Sequence, residues 1–131
     1  MARIAICAFA LSVMIACGPP PPPTATMLMR QSPIALCQSY SAARANNWAS
    51  GRQAVLAEIE RRQLFSAEEM QMILRGPLKI GASELVAICS WGPYFDVNTT
   101  TTSSGVNKQY VMGQFGPYVY TQNGLVTALQ R

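Results

Sequence analysis

Tyr118-Val119-Tyr120-Thr121-Gln122-Asn123-Gly124-Leu125-Val126-Thr127-Ala128-Leu129-Gln130 reads as two strands joined by a two-residue turn. Asn-Gly between two alternating runs is the strongest short-range hairpin signal, because both central residues of a type I′ turn need positive φ. Such a turn sets the register: Gln122 faces Leu125, Thr121 faces Val126, Tyr120 faces Thr127 and Val119 faces Ala128. One face then carries Val119, Thr121, Val126 and Ala128, small enough for helices to lie on. The other carries Tyr118, Tyr120, Leu125 and Leu129. With helices on the first face, the second is left partly open. Tyrosines there serve cross-strand packing in the ordinary case, yet they form the best candidate surface for a partner.

Upstream, residues 95–102 (Phe-Asp-Val-Asn-Thr-Thr-Thr-Thr) are rich in β-branched side chains. A Ser103-Ser104-Gly105 turn follows, then Lys108-Gln109-Tyr110-Val111-Met112. These extend the hairpin to a sheet of three to four antiparallel strands. Before them, Leu78-Lys79-Ile80-Gly81 is a short extended lead-in. Ser83 can cap a helix carrying Leu85, Val86, Ile88 and Cys89, which Trp91-Gly92-Pro93 ends.

Residues 32–77 read as helical. Ser32-Pro33 is an N-cap followed by proline at the first helical position, and Ile34, Cys37, Tyr40 and Ser41 recur along one side of a helix over about 33–45. A second helix over about 50–62 places Val55, Leu56 and Ile59 inward and Glu58, Glu60, Arg61 and Arg62 toward water, with Trp48 before it as a core anchor. Ser66-Ala67-Glu68-Glu69 is a capping box, opening a short helix that presents Met70, Ile73 and Leu74 and stops at Gly76-Pro77. The pattern as a whole is α+β, with helices on one face of the antiparallel sheet and extra helices N-terminal to it.

The start of the chain speaks of location. Residues 1–16 have a secretory leader's three parts: cationic Arg3, an apolar run over residues 4–15, and small Ala16. About a dozen apolar residues are too few to span a bilayer core roughly 30 Å thick. Met14-Ile15-Ala16-Cys17 resembles the lipobox of bacterial lipoproteins, in which the thiol is diacylated, the leader removed and the new amino terminus acylated. Several acyl chains make release from the membrane negligible. Gly18, where an inner-membrane retention signal would place aspartate, implies by the same resemblance the outer membrane of a Gram-negative envelope, facing the periplasm. Pro19, Pro20, Pro21, Pro22 and Pro23 then form an extended polyproline II tether. It continues to residue 31, although Met27-Leu28-Met29 is apolar enough to pack on the domain or touch membrane. The chain thus divides into a leader (1–16), a lipidated cysteine with tether (17–31), a helical segment (32–77) and a small α+β module (78–131).

Composition narrows the chemistry. The formal net charge is +4, or +3 once Arg3 leaves with the leader, and the basic residues are scattered without interleaved aromatics, which argues against nucleic acid. With no histidine there is no imidazole base, no Ser-His or Cys-His pair and no histidine metal ligand. No catalytic residue, metal site or cofactor is expected, no small-molecule substrate is evident, and the protein reads as a non-enzyme. Cys7 leaves with the leader and Cys17 is consumed by lipid. Cys37 and Cys89 remain, either as a disulfide in an oxidising compartment or as two buried thiols.

The order Ile80-Gly81-Ala82-Ser83, helix, Trp91-Gly92-Pro93, strands, Tyr-Val-Tyr, Asn-Gly and Val-Thr resembles small bacterial lipoproteins of the SmpA/OmlA/BamE class over residues 78–131 plus the leader. The resemblance implies two helices on an antiparallel sheet, a fold shared with β-lactamase-inhibitor-like proteins. The best-known member is an accessory subunit of the outer-membrane β-barrel assembly machine. Gly92-Pro93 lacks the residue that relatives place between them, and residues 33–75 are an addition. The expected role is a membrane-anchored accessory module that binds another envelope protein and contributes to outer-membrane assembly or integrity. The alternative is an inhibitor of a secreted enzyme or phage component, or a structural envelope lipoprotein.

Overall fold

The structure, a computed structural model, describes residue 18 and residues 20–131. The leader and Cys17 lie outside the described residues. Five helices precede four strands: α1 (Ala25–Met29), α2 (Pro33–Ala45), α3 (Ala49–Arg61), α4 (Ala67–Leu74), α5 (Glu84–Trp91), β1 (Asp96–Thr102), β2 (Gly105–Val111), β3 (Tyr118–Gln122) and β4 (Leu125–Gln130). The strands form one open antiparallel sheet in sequence order, with β1 and β4 outermost. The class is α+β with a four-stranded open sheet.

The local signals account for the helix ends. Ser32, Ser66 and Ser83 each accept a backbone N–H of the first turn, and Ser66 with Glu69 completes the capping box. Asn123 and Gly124 both adopt positive φ, 49° and 82°, as the two-residue turn requires.

Layers build outward from the sheet. α5 lies against it, α2 and α4 pack on α5, α3 packs on α2, and α1 on α3. The core is one cluster spanning both halves of the chain: Leu36, Cys37, Val55, Ile59 and Ile73 meet Val86, Ile88, Cys89, Val119 and Val126. Cys37 and Cys89 are fully buried, with sulfurs at disulfide-bonding distance and Cα atoms 4.3 Å apart, so α2 is stapled to α5. Arg44 adds a second tie by donating to the Ser90 carbonyl near the end of α5, where a cation complements the helix dipole.

Besides Leu74, which is exposed on α4 while Met72 takes its place in the core, four sequence expectations change. Ile34 is exposed and Leu36 takes the core position beside Cys37. α2 turns its apolar side one step further round because Cys37, Tyr40 and Ser41 lie between α3 and α5. Glu58 is not turned to water: it is only 5% exposed, because Arg61 (2.8 Å) and Arg62 (2.6 Å) converge on its carboxylate. Those two guanidiniums hold it well below the usual carboxylate range, at about 2.

Trp48, expected in the core, is half-buried at the N-cap of α3 and outside the core cluster. Its indole N–H needs an acceptor and finds the Pro20 carbonyl at 3.0 Å. The ring lies over Gly51, where any Cβ would collide with it. The fourth change concerns residues 20–31, which lie along α3 rather than projecting from the domain. Pro20 meets Trp48 at the start of α3 and Pro23 lies beside Ala54 in a shared groove. Leu28 is buried, and the Leu28 and Gln31 carbonyls accept from Arg62 at 2.8 and 2.7 Å beside the end of α3.

Candidate interaction surface

The hairpin register follows the turn for two pairs, Gln122↔Leu125 and Thr121↔Val126, and then shifts. A β-bulge pairs Tyr120 with Ala128, Val119 with Leu129 and Tyr118 with Gln130. One extra residue reverses the facing of everything beyond it. Leu129 therefore packs against the core and Ala128 is exposed on the open side. Leu129, expected to join a partner surface, is withdrawn from it.

Of the other expected surface residues, Tyr118 and Tyr120 occupy the open face. Leu125 is exposed near the opposite end, next to Ser83, in a groove with Ser66 and Ile80. The two tyrosines and Leu125 thus do not form one patch. Cys17 lies outside the described residues.

What surrounds the tyrosines is a row of polar side chains running across all four strands. Asn98 on β1 donates to Gln109 Oε1 on β2 (3.1 Å). Gln109 donates to the Tyr120 hydroxyl on β3 (3.0 Å), and that hydroxyl donates to Gln130 Oε1 on β4 (2.8 Å). Register makes this possible, since Asn98 pairs with Gln109 and Gln109 with Tyr120. Each member fixes its neighbour's rotamer, so the face offers oriented donors and acceptors.

The row ends at Gln130, which also lines a groove of about 610 Å³ with Trp91, Phe115, Pro117, Tyr118 and Arg131. Phe115 is 88% exposed on the loop joining β2 to β3, and Phe95, just before β1, is 74% exposed. The Arg131 guanidinium stacks over Trp91 at 5.3 Å. Trp, Tyr and Arg are the side chains that dominate protein–protein contact energies, and two bare phenylalanines at one end of a sheet are not a folding requirement. No family model, curated protein or solved structure matches the chain.

The two edges of the sheet differ. At β4, residues 81–84 add backbone hydrogen bonds: Gly81 N–H to Val126 O (2.8 Å), Val126 N–H to Ala82 O (2.7 Å) and Glu84 N–H to Gly124 O (2.8 Å). Among the described residues none gives β1 such cover, and apart from Val97 all its residues are exposed. An unprotected edge presents a row of unpaired N–H and C=O groups, a template for an added strand.

Beneath the sheet a second polar cluster joins α5 to β2 and β3. Glu84 accepts from Lys108 Nζ (3.0 Å), Tyr110 OH (3.1 Å) and Thr121 Oγ1 (3.4 Å). The Glu84 carboxylate raises the Lys108 ammonium above its ordinary value, and burial raises the Tyr110 phenol. Glu84 is thus a tie between helix and sheet and not only the surface residue its cap position suggests. Among the described residues no group of three metal-ligating side chains converges, and no described helix is long and apolar enough to cross a membrane.

The aromatic end was recognisable only in part. In Gly113-Gln114-Phe115-Gly116-Pro117 an aromatic is flanked by glycines between two strands, a pattern that puts it on an exposed turn. The polar row depends on cross-strand register, which the bulge alters without a composition cue.

Proposed function

We propose that the protein is a lipid-anchored envelope accessory module that works by contact, binding another envelope protein through the open sheet face and its aromatic end. The observation that carries this reading is the uncovered end of the sheet, where Phe115 stands exposed beside Tyr118 and Trp91 at the end of the oriented Asn98–Gln109–Tyr120–Gln130 row, with exposed Phe95 leading into β1. An anchoring aromatic in an oriented polar surround is the composition of a contact surface. The free β1 edge allows the same partner to extend the sheet. The lipobox-like Met14-Ile15-Ala16-Cys17 supports the envelope location, at an outer membrane facing the periplasm, and the order of motifs over residues 78–131 supports a role beside outer-membrane assembly or integrity in the manner of the SmpA/OmlA/BamE class.

The test is co-purification from solubilised envelopes. The unaltered chain brings down a discrete partner, and Tyr118→Ala with Tyr120→Ala, or Phe115→Ala alone, loses it while the circular dichroism spectrum and melting temperature hold. A partner retained by both variants refutes the surface. Protection of cells, or inhibition of an enzyme, by a soluble Cys17→Ser chain instead selects the inhibitor reading.

A further inference from the structure

Counted from Cys17, the described contacts begin early. Pro20 is already held by the Trp48 indole, so only Gly18 and Pro19 separate the cysteine from a residue fixed to the folded domain. Three residues span at most about 11 Å even when fully extended. The polar headgroup zone of one leaflet is itself roughly 5–8 Å deep. An acylated Cys17 therefore leaves no room for the domain to stand away from the lipid.

Resting on the lipidation reading above, we infer that residues 20–31 and the flank of α3 they cover are a membrane-seating surface whose occupant is an anionic bilayer surface. Three further observations point the same way. First, the strap presents Met27 and Met29, 60% and 55% exposed, although neighbouring Leu28 is buried. Large apolar side chains on the outermost layer gain from a headgroup boundary what water denies them.

Second, the exposed charge beside the strap is basic. Arg30 on the strap and Arg61 on the flank of α3 that it covers are exposed, whereas Glu58 in the same groove is buried and paired to Arg61 and Arg62. A negatively charged headgroup layer within a Debye length of about 10 Å attracts the two exposed guanidiniums. Third, Trp48, half-buried beside the start of the strap, combines an apolar ring with an N–H already paired, and tryptophan is the side chain that settles in membrane interfaces.

The geometry then places α3 along the membrane plane with the strap between it and the lipid. α3, α2 and α5 stand between that strap and the sheet, which puts the open sheet face on the side away from the bilayer.

The test uses the full mature chain, purified from membranes and reconstituted in phosphatidylethanolamine vesicles containing phosphatidylglycerol and a headgroup spin-labelled phospholipid. Mass spectrometry of the N-terminal peptide first establishes the acyl groups on Cys17. In a Trp91→Phe chain, Trp48 loses most of its emission to the label. In a Trp48→Phe chain, Trp91 keeps its emission. On the unaltered chain, which avoids any folding defect, peroxide oxidation of Met27 and Met29 slows several-fold on vesicles relative to the same protein in detergent. An acylated chain whose Trp48 is unquenched and whose methionines oxidise freely overturns the seating inference alone. A chain without acyl groups overturns the lipidation reading and the seating inference with it.

Discussion

Reducing the Cys37–Cys89 pair offers the most quantitative check on how the two halves of the chain are held together. The cysteines are 52 residues apart in sequence. Closing a loop of that length stabilises a fold by about 4 kcal/mol in the chain-entropy model. Unfolding entropy near 2 cal/mol/K per residue makes that equivalent to about 17 °C in melting temperature for a domain of this size. Reduction is a cleaner perturbation than substitution, because both thiols remain as small buried hydrophobes and no cavity is left at either fully buried site. The comparison is between oxidised protein and protein unfolded, reduced and refolded under anaerobic dithiothreitol, each melted with near-ultraviolet circular dichroism. The native form should also resist dithiothreitol until it is warmed toward its transition, since neither sulfur is accessible without opening α2 away from α5. A melting difference of only one or two degrees, or rapid reduction of the folded protein in the cold, refutes the staple.

Other consequences follow from the same contacts. Arg62→Ala removes two hydrogen bonds to the Leu28 and Gln31 carbonyls and should weaken docking of the strap by about 2–4 kcal/mol, seen as at least roughly 30-fold faster amide exchange over residues 27–31 with the sheet amides unchanged. Gly51→Ala should displace the Trp48 ring and release Pro20, readable as a red shift of the Trp48 emission in a Trp91→Phe background. Glu58 has a depressed folded pKa, so its contribution is present above the unfolded value near 4.5 and is lost as pH falls toward about 2. Glu58→Gln should therefore lower stability at neutral pH and flatten the acid limb of a urea-denaturation series. Lys108 and Tyr110 are both raised, so their contribution is complete below their unfolded values near 10 and fades as pH climbs through the folded ones. Lys108→Met combined with Tyr110→Phe should make stability less sensitive to pH in that alkaline range, the second change being needed because Lys108 also holds the Tyr110 phenol down.

Much of the fold was legible because its punctuation is local. The serine caps at 32, 66 and 83, the Asn123-Gly124 turn and the stop at Gly76-Pro77 each act through neighbours a few residues away. The misplacements came from partners distant in sequence. Glu58 looked like a surface residue until Arg62 was seen to reach Leu28 and Gln31 as well. Trp48 reads as a core anchor because its ring is large and apolar, and the Pro20 carbonyl that holds it at the surface lies 28 residues away. At the candidate site, Tyr118 and Tyr120 were readable from alternation alone. Leu129 reads to the wrong side because the bulge between Tyr120 and Thr121 in the β3–β4 pairing leaves no mark in the alternation of residue types. Phe115 carried a sequence signal in its flanking glycines, whereas Asn98, Gln109 and Gln130 join the site only through pairing.

A photo-crosslinking amino acid placed at 115 or at 120, and at exposed position 71 of α4 as a control, interrogates contact through the sheet in the intact envelope. The account predicts one discrete adduct from 115 and 120, absent from 71. Adducts of equal yield from all three positions, or from 71 alone, would contradict it.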